Sequence, residues 1–430
     1  MYSVPFSRGH LHFRLPSGFR GHLVESRTLP PIEDVPAEVR KWLDAPVASP
    51  PLRELAGPGD KVCIVFTDIT RSSPDYLLVP PVLEQLEAAG VKREDITLLC
   101  GIGMHRPSTH EEKIAKLGED VVRNYRVIDN EPQNPAALVD LGTTPSGIPL
   151  TVHRECYEAD LLIATGIVEP HQYAGYSGGR KTLAVGAAGE AMIAYSHGPQ
   201  IVDHPGTRLG QIDGNPFHEA ITEAARRANL RFIVNVVIDD NKNVVAVRAG
   251  ATEEAFMELV AIARSIFEVP IPQQYDVAVG GIGFPKDANL YQASRAASYL
   301  FFAPTQVVRD GGYIILPAGC EEGCGEGVGE QRFFDTMRNA SCCQQILDDA
   351  REFGYAPGEQ RAFVMAKVLE KNKVIVVGSS DPDMIRDGKM IPAATMDEAF
   401  AIVQADLGQT ADTLIVPHAL LTLPIVQTSR

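Results

Sequence analysis

Short apolar runs, rich in Val and Ile, alternate along the chain with longer segments of helical periodicity. Apolar runs of this length are typical of strands that are buried on both faces of a parallel sheet. Their alternation with helical segments predicts βαβ units and an α/β fold with mainly parallel sheets. In the first half of the chain these runs are Lys61–Phe66, Ile96–Cys100, Leu161–Ala164 and Leu230–Ile238.

The helical segments lie between these runs. One is predicted over Tyr76–Ala89, and another begins near Thr109, where Thr and Glu three residues apart have the spacing of a capping box. The strongest amphipathic pattern covers Thr252–Phe267. It stops at the proline-rich segment 269–272, because proline cannot continue a helix. We therefore expect a domain boundary at this segment.

A second α/β series follows the prolines. Its predicted elements are Asp276–Val279, Leu290–Phe302, Gly312–Leu316 and Lys373–Val377. The last apolar run, Thr413–Pro417, is expected to return to the first domain. The sequence thus predicts an N-terminal domain over 1–269, joined by 408–430, and a C-terminal domain over 273–407.

Composition limits the classes of partner. The net charge of −16 argues against a nucleic-acid or anionic-membrane partner, since both require a basic surface. No apolar run approaches the ~20 residues that span a bilayer. The seven cysteines lack the spacing of a disulfide framework, which suits the cytoplasm. Cys320 and Cys324, like Cys342 and Cys343, are more readily structural than metal ligands.

Polar residues and glycines concentrate in four loops that follow predicted strands. In open α/β sheets the loops at the carboxyl ends of strands carry the ligand site. Each loop also has a plainer interpretation: a single histidine such as His105 is more often a turn residue, and Arg71 alone suits a surface. The four loops cover residues 68–74, 101–107, 166–182 and 281–287.

The loop Gly175–Thr182 (GYSGGRKT) is similar to a phosphate-binding P-loop, but Arg180 occupies the position where that motif requires glycine. What remains is a glycine-rich loop that presents Lys181. A lysine in such a place serves as a point charge for phosphate or as a covalent attachment point. His171 precedes the lysine, and His197 follows it after a predicted helix over 189–196. We therefore expect Lys181, His171 and His197 to converge on one bound group.

Four ordered segments and one histidine carry a family resemblance: DITRSSP, GMHRPST, PHQYAGYSGGRK, the later His197, and GFPKDANLYQASR. In this order, from about Lys61 to about Val377, the chain resembles the lactate racemase family, the nickel-pincer enzymes. The resemblance implies two α/β domains with the active site in the interdomain cleft. It also implies a nickel-pincer nucleotide, the pyridinium-3-thioamide-5-thiocarboxylic acid mononucleotide with nickel, attached to Lys181.

The resemblance also implies a role for each matching residue. The cofactor would be bound by Lys181, Asp68, Ser177, Gly178 and Gly179, and nickel by His197. The catalytic acid/bases would be His105 and His171. The substrate's carboxylate would be held by Arg71, Gln292 and Arg295.

This chemistry explains the residue types. The C2–H bond of a 2-hydroxy acid is not usefully acidic, so hydrogen leaves more readily as hydride while a base removes the hydroxyl proton. A reaction that uses both faces of a planar 2-keto acid needs a base on each side, and histidine titrates close to neutrality. The implied activity is therefore a 2-hydroxy acid racemase or epimerase.

Arginines mark where the chain departs from the family. Arg295 replaces a lysine, Arg180 follows the glycine pair, and Arg361 ends the stretch Gly358–Arg361, near which relatives often have a tryptophan. If Arg180 or Arg361 faces the substrate, a second carboxylate would have a partner, as in malate. Arginines equally suit a cofactor phosphate or structural pairs.

Two other functions stay open. A nucleotide-dependent phosphotransferase would use the glycine-rich loop, although Arg180 argues against it. A cofactor-free binding protein of the same fold would have no use for Lys181 together with three histidines. The expected partners are a small 2-hydroxy acid and, transiently, cofactor-synthesis proteins, with no nucleic acid or membrane; a homo-oligomer is an open expectation.

Overall fold

The fold is built on two six-stranded sheets, each with helices packed against it. The structure, a computed structural model, describes residues 1–356 and 358–427. The described chain divides into two compact units. We call residues 28–197 and 211–266 the glycine-loop unit, and residues 1–27, 198–210 and 267–427 the three-segment unit.

The strands, numbered along the chain, are β1 (Tyr2–Phe6), β2 (Gly9–Phe13), β3 (Phe19–Leu23), β4 (Val62–Thr67), β5 (Ile96–Gly101), β6 (Arg126–Asp129), β7 (Leu138–Thr143), β8 (Pro149–His153), β9 (Leu161–Ile167), β10 (Pro170–His171), β11 (Gly175–Tyr176), β12 (Leu230–Ile238), β13 (Val244–Gly250), β14 (Glu268–Ile271), β15 (Tyr275–Gly280), β16 (Val308–Pro317), β17 (Lys373–Val377), β18 (Ile391–Ala393), β19 (Ala411–Val416) and β20 (Leu423–Val426).

The α-helices are α1 (Val35–Asp44), α2 (Asp75–Ala88), α3 (His110–Leu117), α4 (Glu119–Asn124), α5 (Arg154–Tyr157), α6 (Glu190–Ser196), α7 (Pro199–Val202), α8 (Pro216–Arg227), α9 (Thr252–Phe267), α10 (Leu290–Phe301), α11 (Val328–Asn339), α12 (Cys343–Phe353), α13 (Gln360–Lys371), α14 (Pro382–Asp387) and α15 (Met396–Leu407). A π-helical turn covers Thr182–Gly186. None of the helices in the described ranges is long and apolar enough to span a bilayer.

The sheet of the glycine-loop unit has the order β13-β12-β9-β4-β5-β6. All neighbours are parallel except β12 and β13, and β4 and β9 are buried along their whole length. After β4 the chain adds β5 and β6 on one side, and later β9 and β12 on the other. The order therefore reverses between β4 and β9, and in open α/β sheets ligands bind at the carboxyl ends beside such a reversal.

Most predicted elements are confirmed, including the predicted α/β fold with mainly parallel sheets. The apolar runs before residue 240 form β4, β5, β9 and β12, and the amphipathic segment Thr252–Phe267 is helix α9. The capping box at Thr109 is present, with Glu112 as its partner. These segments were predictable because burial on both faces of a parallel strand, or on one face of a helix, leaves a periodic apolar pattern.

The predicted domain assignment of both chain ends is wrong. Residues 1–27 belong to the three-segment unit, and the run after 410 does not return to the first domain. Strand β19 pairs in parallel with β15 on one side and with β3 on the other, completing the order β18-β17-β16-β15-β19-β3. The physical reason is burial: Phe13 and Phe19 pack against Phe400 in the core of this sheet.

Candidate functional site

The glycine-rich loop begins where β9 ends, next to the reversal in strand order. Ser177 fixes the start of the loop, because its hydroxyl donates to the Ile167 carbonyl at 2.8 Å. Gly178 has a φ of +92°, and a Cβ there would lie 2.7 Å from Asn235 Oδ1. The Gly179 amide donates to the same oxygen at 2.6 Å. Only glycine satisfies this position, so the loop has a fixed shape up to Lys181.

Lys181 lies at the start of the π-helical turn Thr182–Gly186 and is only partly exposed. Loss of solvation, followed by the charge of Arg71, lowers the pKa of its ammonium group to about 7. A substantial fraction of this amine is therefore neutral at physiological pH. A neutral lysine amine is a nucleophile, whereas an ordinary surface lysine is almost entirely protonated.

His197 is the C-terminal cap of α6. Its Nδ1 donates to the carbonyl of Ile193 at 2.9 Å, which places the proton of the neutral ring on Nδ1 and the lone pair on Nε2. Burial, and then the charge of Lys181, lowers the pKa of this imidazole to about 4. His197 is therefore neutral near pH 7, and a neutral imidazole oriented by a carbonyl is the form that binds metals.

His171 and His197 belong to one aromatic cluster with Tyr173 and Phe217. The rings of Tyr173 and Phe217 lie 5.4 and 5.1 Å from that of His197, centroid to centroid, and 5.9 and 6.3 Å from that of His171. The backbone amides of Tyr173 and Ala174 both donate to His171 Nδ1. Neutral His171 therefore carries its proton on Nε2.

His105 has the opposite arrangement. Its Nδ1 lies 2.5 Å from an oxygen of the buried Asp68, so Nδ1 is the donor and Nε2 carries the free lone pair. Burial raises the pKa of Asp68, but hydrogen bonds from His105 and Thr70 outweigh it and hold that pKa below its usual range. Asp68 thus stays ionised and orients the imidazole through the Nδ1–H bond.

Arg71 and the His105 loop are tied to the same region. The charge of Arg71 lowers the pKa of Lys181, His197 and Asp68. The amide of Gly103 donates to the carbonyl of Gly186, joining the loop after β5 to the turn that follows Lys181. The glycine-loop unit therefore brings together the predicted residues that follow β4, β5 and β9.

Two predicted substrate-binding residues, Gln292 and Arg295, lie on α10 in the three-segment unit. Asn289 caps this helix by accepting from the Gln292 amide. Arg295 contacts Gln292 Oε1 at 3.4 Å and the Tyr299 hydroxyl at 3.3 Å. Both predicted residues thus share one short stretch of the same helix.

Comparison with known proteins finds a family match over most of the chain. The profile of the lactate racemase N-terminal domain matches residues 6–210, and that of the C-terminal domain matches residues 272–423. The chain belongs to the lactate racemase family. It is therefore an enzyme of the isomerase class, as the sequence motifs predicted.

Two lactate racemases of known sequence are similar to this chain. That of Lactiplantibacillus plantarum is 34% identical over 387 residues, covering 89% of each chain. That of Thermoanaerobacterium thermosaccharolyticum is 31% identical over 421 residues, covering 97% of each. The structure of a lactate racemase apoprotein from the latter organism superposes with a TM-score of 0.86 at 29% identity, covering 98% of this chain and 99% of the other.

In this member of the lactate racemase family, Arg180 does not face a substrate. Its side chain is 1% exposed and forms an ion pair with Glu253. It also donates to His218 Nε2 at 2.8 Å and stacks on Phe256 at 4.3 Å. Of the alternatives that the sequence left open, Arg180 takes the structural one: it anchors the backbone next to Lys181.

Sequence reasoning missed the residues that support the loop. Asn235 had a signal, since it is a polar residue inside the apolar run of β12, and it is fully buried. Tyr173, Phe217 and His218 had none, because a residue's distance along the chain does not reveal which ring it will pack against.

Proposed function

We propose that this protein is a racemase of a small 2-hydroxy acid, lactate or a close relative, and that it works with a nickel-pincer nucleotide bound by the glycine-loop unit. The observation that carries the proposal is the pairing of a lysine amine whose pKa is about 7 with a neutral, carbonyl-oriented His197. The names of the family's domains and of the relatives support racemisation.

The residues present fit the proposed cofactor. Lys181 would join it through a thioamide, for which a neutral amine is the reactive form. The Ser177–Gly179 backbone and Asp68 would line its binding site. His197 would complete the nickel site through Nε2, since imidazole suits nickel. The chemistry that the cofactor supplies when bound is reversible acceptance of hydride from C2 of the substrate.

The chain's own residues handle the proton and the carboxylate. His105 is poised to take the hydroxyl proton at Nε2, because Asp68 holds its Nδ1–H and stabilises the resulting imidazolium. His171 presents Nε2–H and becomes a base only after it exchanges the amide contacts at Nδ1. The two histidines are therefore inequivalent in this conformation. Arg71, with Gln292 and Arg295, would bind the carboxylate.

The proposed cofactor also has consequences for the protein's partners and its location in the cell. Attachment of a modified nucleotide to Lys181 requires transient contact with cofactor-synthesis proteins. We propose the cytoplasm as the location, because reduced cysteines and a nucleotide cofactor belong there.

The test is racemisation by loaded protein. The chain is produced with the cofactor-synthesis enzymes and nickel, and pure L- or D-lactate is converted while chiral chromatography follows both enantiomers. We expect each enantiomer to approach an equal mixture, and protein made without nickel to be inactive. Loaded protein that leaves lactate, 2-hydroxybutyrate, malate and 2-hydroxyglutarate unchanged would contradict the proposal.

A further inference from the structure

We propose that Arg361 of the three-segment unit forms a subsite for the second carboxylate of the substrate, next to Arg295, which would hold the first, so that the preferred substrate class is 2-hydroxydicarboxylates. This inference rests on the proposed function, since it names the substrate that the racemase selects. It does not depend on how the cofactor is bound.

Arg361 is a buried cation that has no carboxylate partner within residues 1–356 and 358–427. The residue is 8% exposed, and its Nη1 donates to the neutral Ser298 hydroxyl at 2.9 Å. Its guanidinium lies 5.6 Å from the ring of Tyr291. Among the described residues, Nε has no hydrogen-bond partner and no carboxylate forms an ion pair with the side chain. Burying an unpaired charge is unfavourable, so such a group usually serves a ligand.

Arg180 provides a comparison, because it is a buried arginine whose partners give it a structural role. It has the Glu253 carboxylate as well as His218 as partners. The chain therefore supplies an anion where a buried guanidinium only supports the fold. Within the part of the chain that the structure describes, Arg361 contacts a hydroxyl and an aromatic ring, both of which leave its charge uncompensated.

Arg361 lies against the helix that carries the implied carboxylate site. Ser298, its hydrogen-bond partner, is one turn after Arg295 on α10, and the Ser298 hydroxyl donates to the Arg295 carbonyl at 3.0 Å. Gln292 is one turn before Arg295 and contacts it. The two guanidiniums thus flank the same turns of α10. A ligand with two carboxylates would supply an anion to Arg361 as well as to Arg295, whereas lactate would supply none to Arg361.

Carboxylate recognition by guanidinium predicts a specific kinetic result. In loaded wild-type enzyme, kcat/KM should be higher for malate than for lactate. Arg361→Gln keeps a polar partner for Ser298 but removes the charge, so it should lower the malate-to-lactate ratio of kcat/KM by about 10- to 100-fold, the range for a hydrogen bond to a charged group. Arg361→Lys keeps the charge without the planar fork and should restore part of that ratio.

Two controls make the result specific. Arg338→Gln removes an exposed arginine that pairs with Asp335 in the same unit, and it should leave the ratio unchanged. Succinate, which has two carboxylates but no hydroxyl to oxidise, should raise the melting temperature of wild-type protein and of Arg338→Gln, but not of Arg361→Gln.

The outcomes separate the two proposals. Succinate binding that depends on Arg361, with no racemisation of any hydroxy acid, would retain the subsite and reject the racemase. Racemisation of lactate with no preference for malate, or an equal loss of both activities in Arg361→Gln, would overturn the subsite. A variant that binds less cofactor by intact mass would also overturn it, since Arg361 would then serve the cofactor phosphate.

Discussion

Replacing His105 by alanine in the loaded enzyme is expected to lower kcat/KM for racemisation by about 10²–10⁴-fold, the usual contribution of a general acid or base. His105 is the histidine whose free Nε2 and ionised partner, Asp68, prepare it to accept a proton. His171→Ala should fall in the same range. Each variant should fail with both enantiomers, because racemisation must pass from one face of the substrate to the other.

The matched control is His110→Ala. His110 is exposed at the start of α3, five residues after His105, and it should racemise at the wild-type rate. The variants are compared by their initial rates with each enantiomer. The cofactor content of each protein is first measured by mass, so that a difference in rate does not reflect a difference in loading. Near-wild-type turnover in His105→Ala would mean that His105 has a structural role in its turn and no role in catalysis.

Lys181→Met is expected to make the cofactor-free protein more stable, and more so in acid than in alkali. A pKa that falls from 10.5 when unfolded to about 7 when folded means that the folded chain resists protonating this amine. The resulting penalty is at most about 5 kcal/mol. It is fully present below pH 7, shrinks as pH rises from 7 towards 10.5, and vanishes above that, because the unfolded state binds the extra proton in this window.

Urea denaturation of both proteins from pH 6 to pH 9 measures this effect. The stability advantage of Lys181→Met over wild type should shrink by about 2 kcal/mol between pH 7 and pH 9. Lys116→Met is the contrasting control: Lys116 is buried but pairs with Asp75 at 2.8 Å, so its loss should destabilise the fold. A pH-independent difference at position 181 would mean that the amine has an ordinary pKa.

The sequence predicted the elements better than their connections. Strands such as β4 and β9 are recognisable because burial on both faces leaves uninterrupted apolar runs. Strand β3 (FRGHL) carries no such run, since it lies at the edge of its sheet and is mostly exposed. Its pairing with β19, almost 400 residues later along the chain, depends on tertiary packing that no local pattern reports.

The candidate site likewise contains residues that the sequence suggested and residues whose role only the fold revealed. Lys181, His197, His171 and His105 could be proposed as site residues from the sequence because their residue types and motifs imply chemistry. The different environments of Arg180 and Arg361 were not predictable, because both are arginines in loop or helix-end positions and only the fold decides which one meets a carboxylate. The support that Asn235 gives to the glycine pair was likewise visible only in three dimensions.

The central claim is that Lys181 carries the cofactor of a racemase, and intact-mass measurement tests it most directly. Wild-type protein made with the cofactor-synthesis enzymes and nickel should be heavier than the encoded chain by one modified nucleotide, with nickel retained under native conditions. Lys181→Ala, produced in the same way, should have the mass of the bare chain. An adduct that persists unchanged in Lys181→Ala, or a wild-type chain that never gains one, would contradict the account.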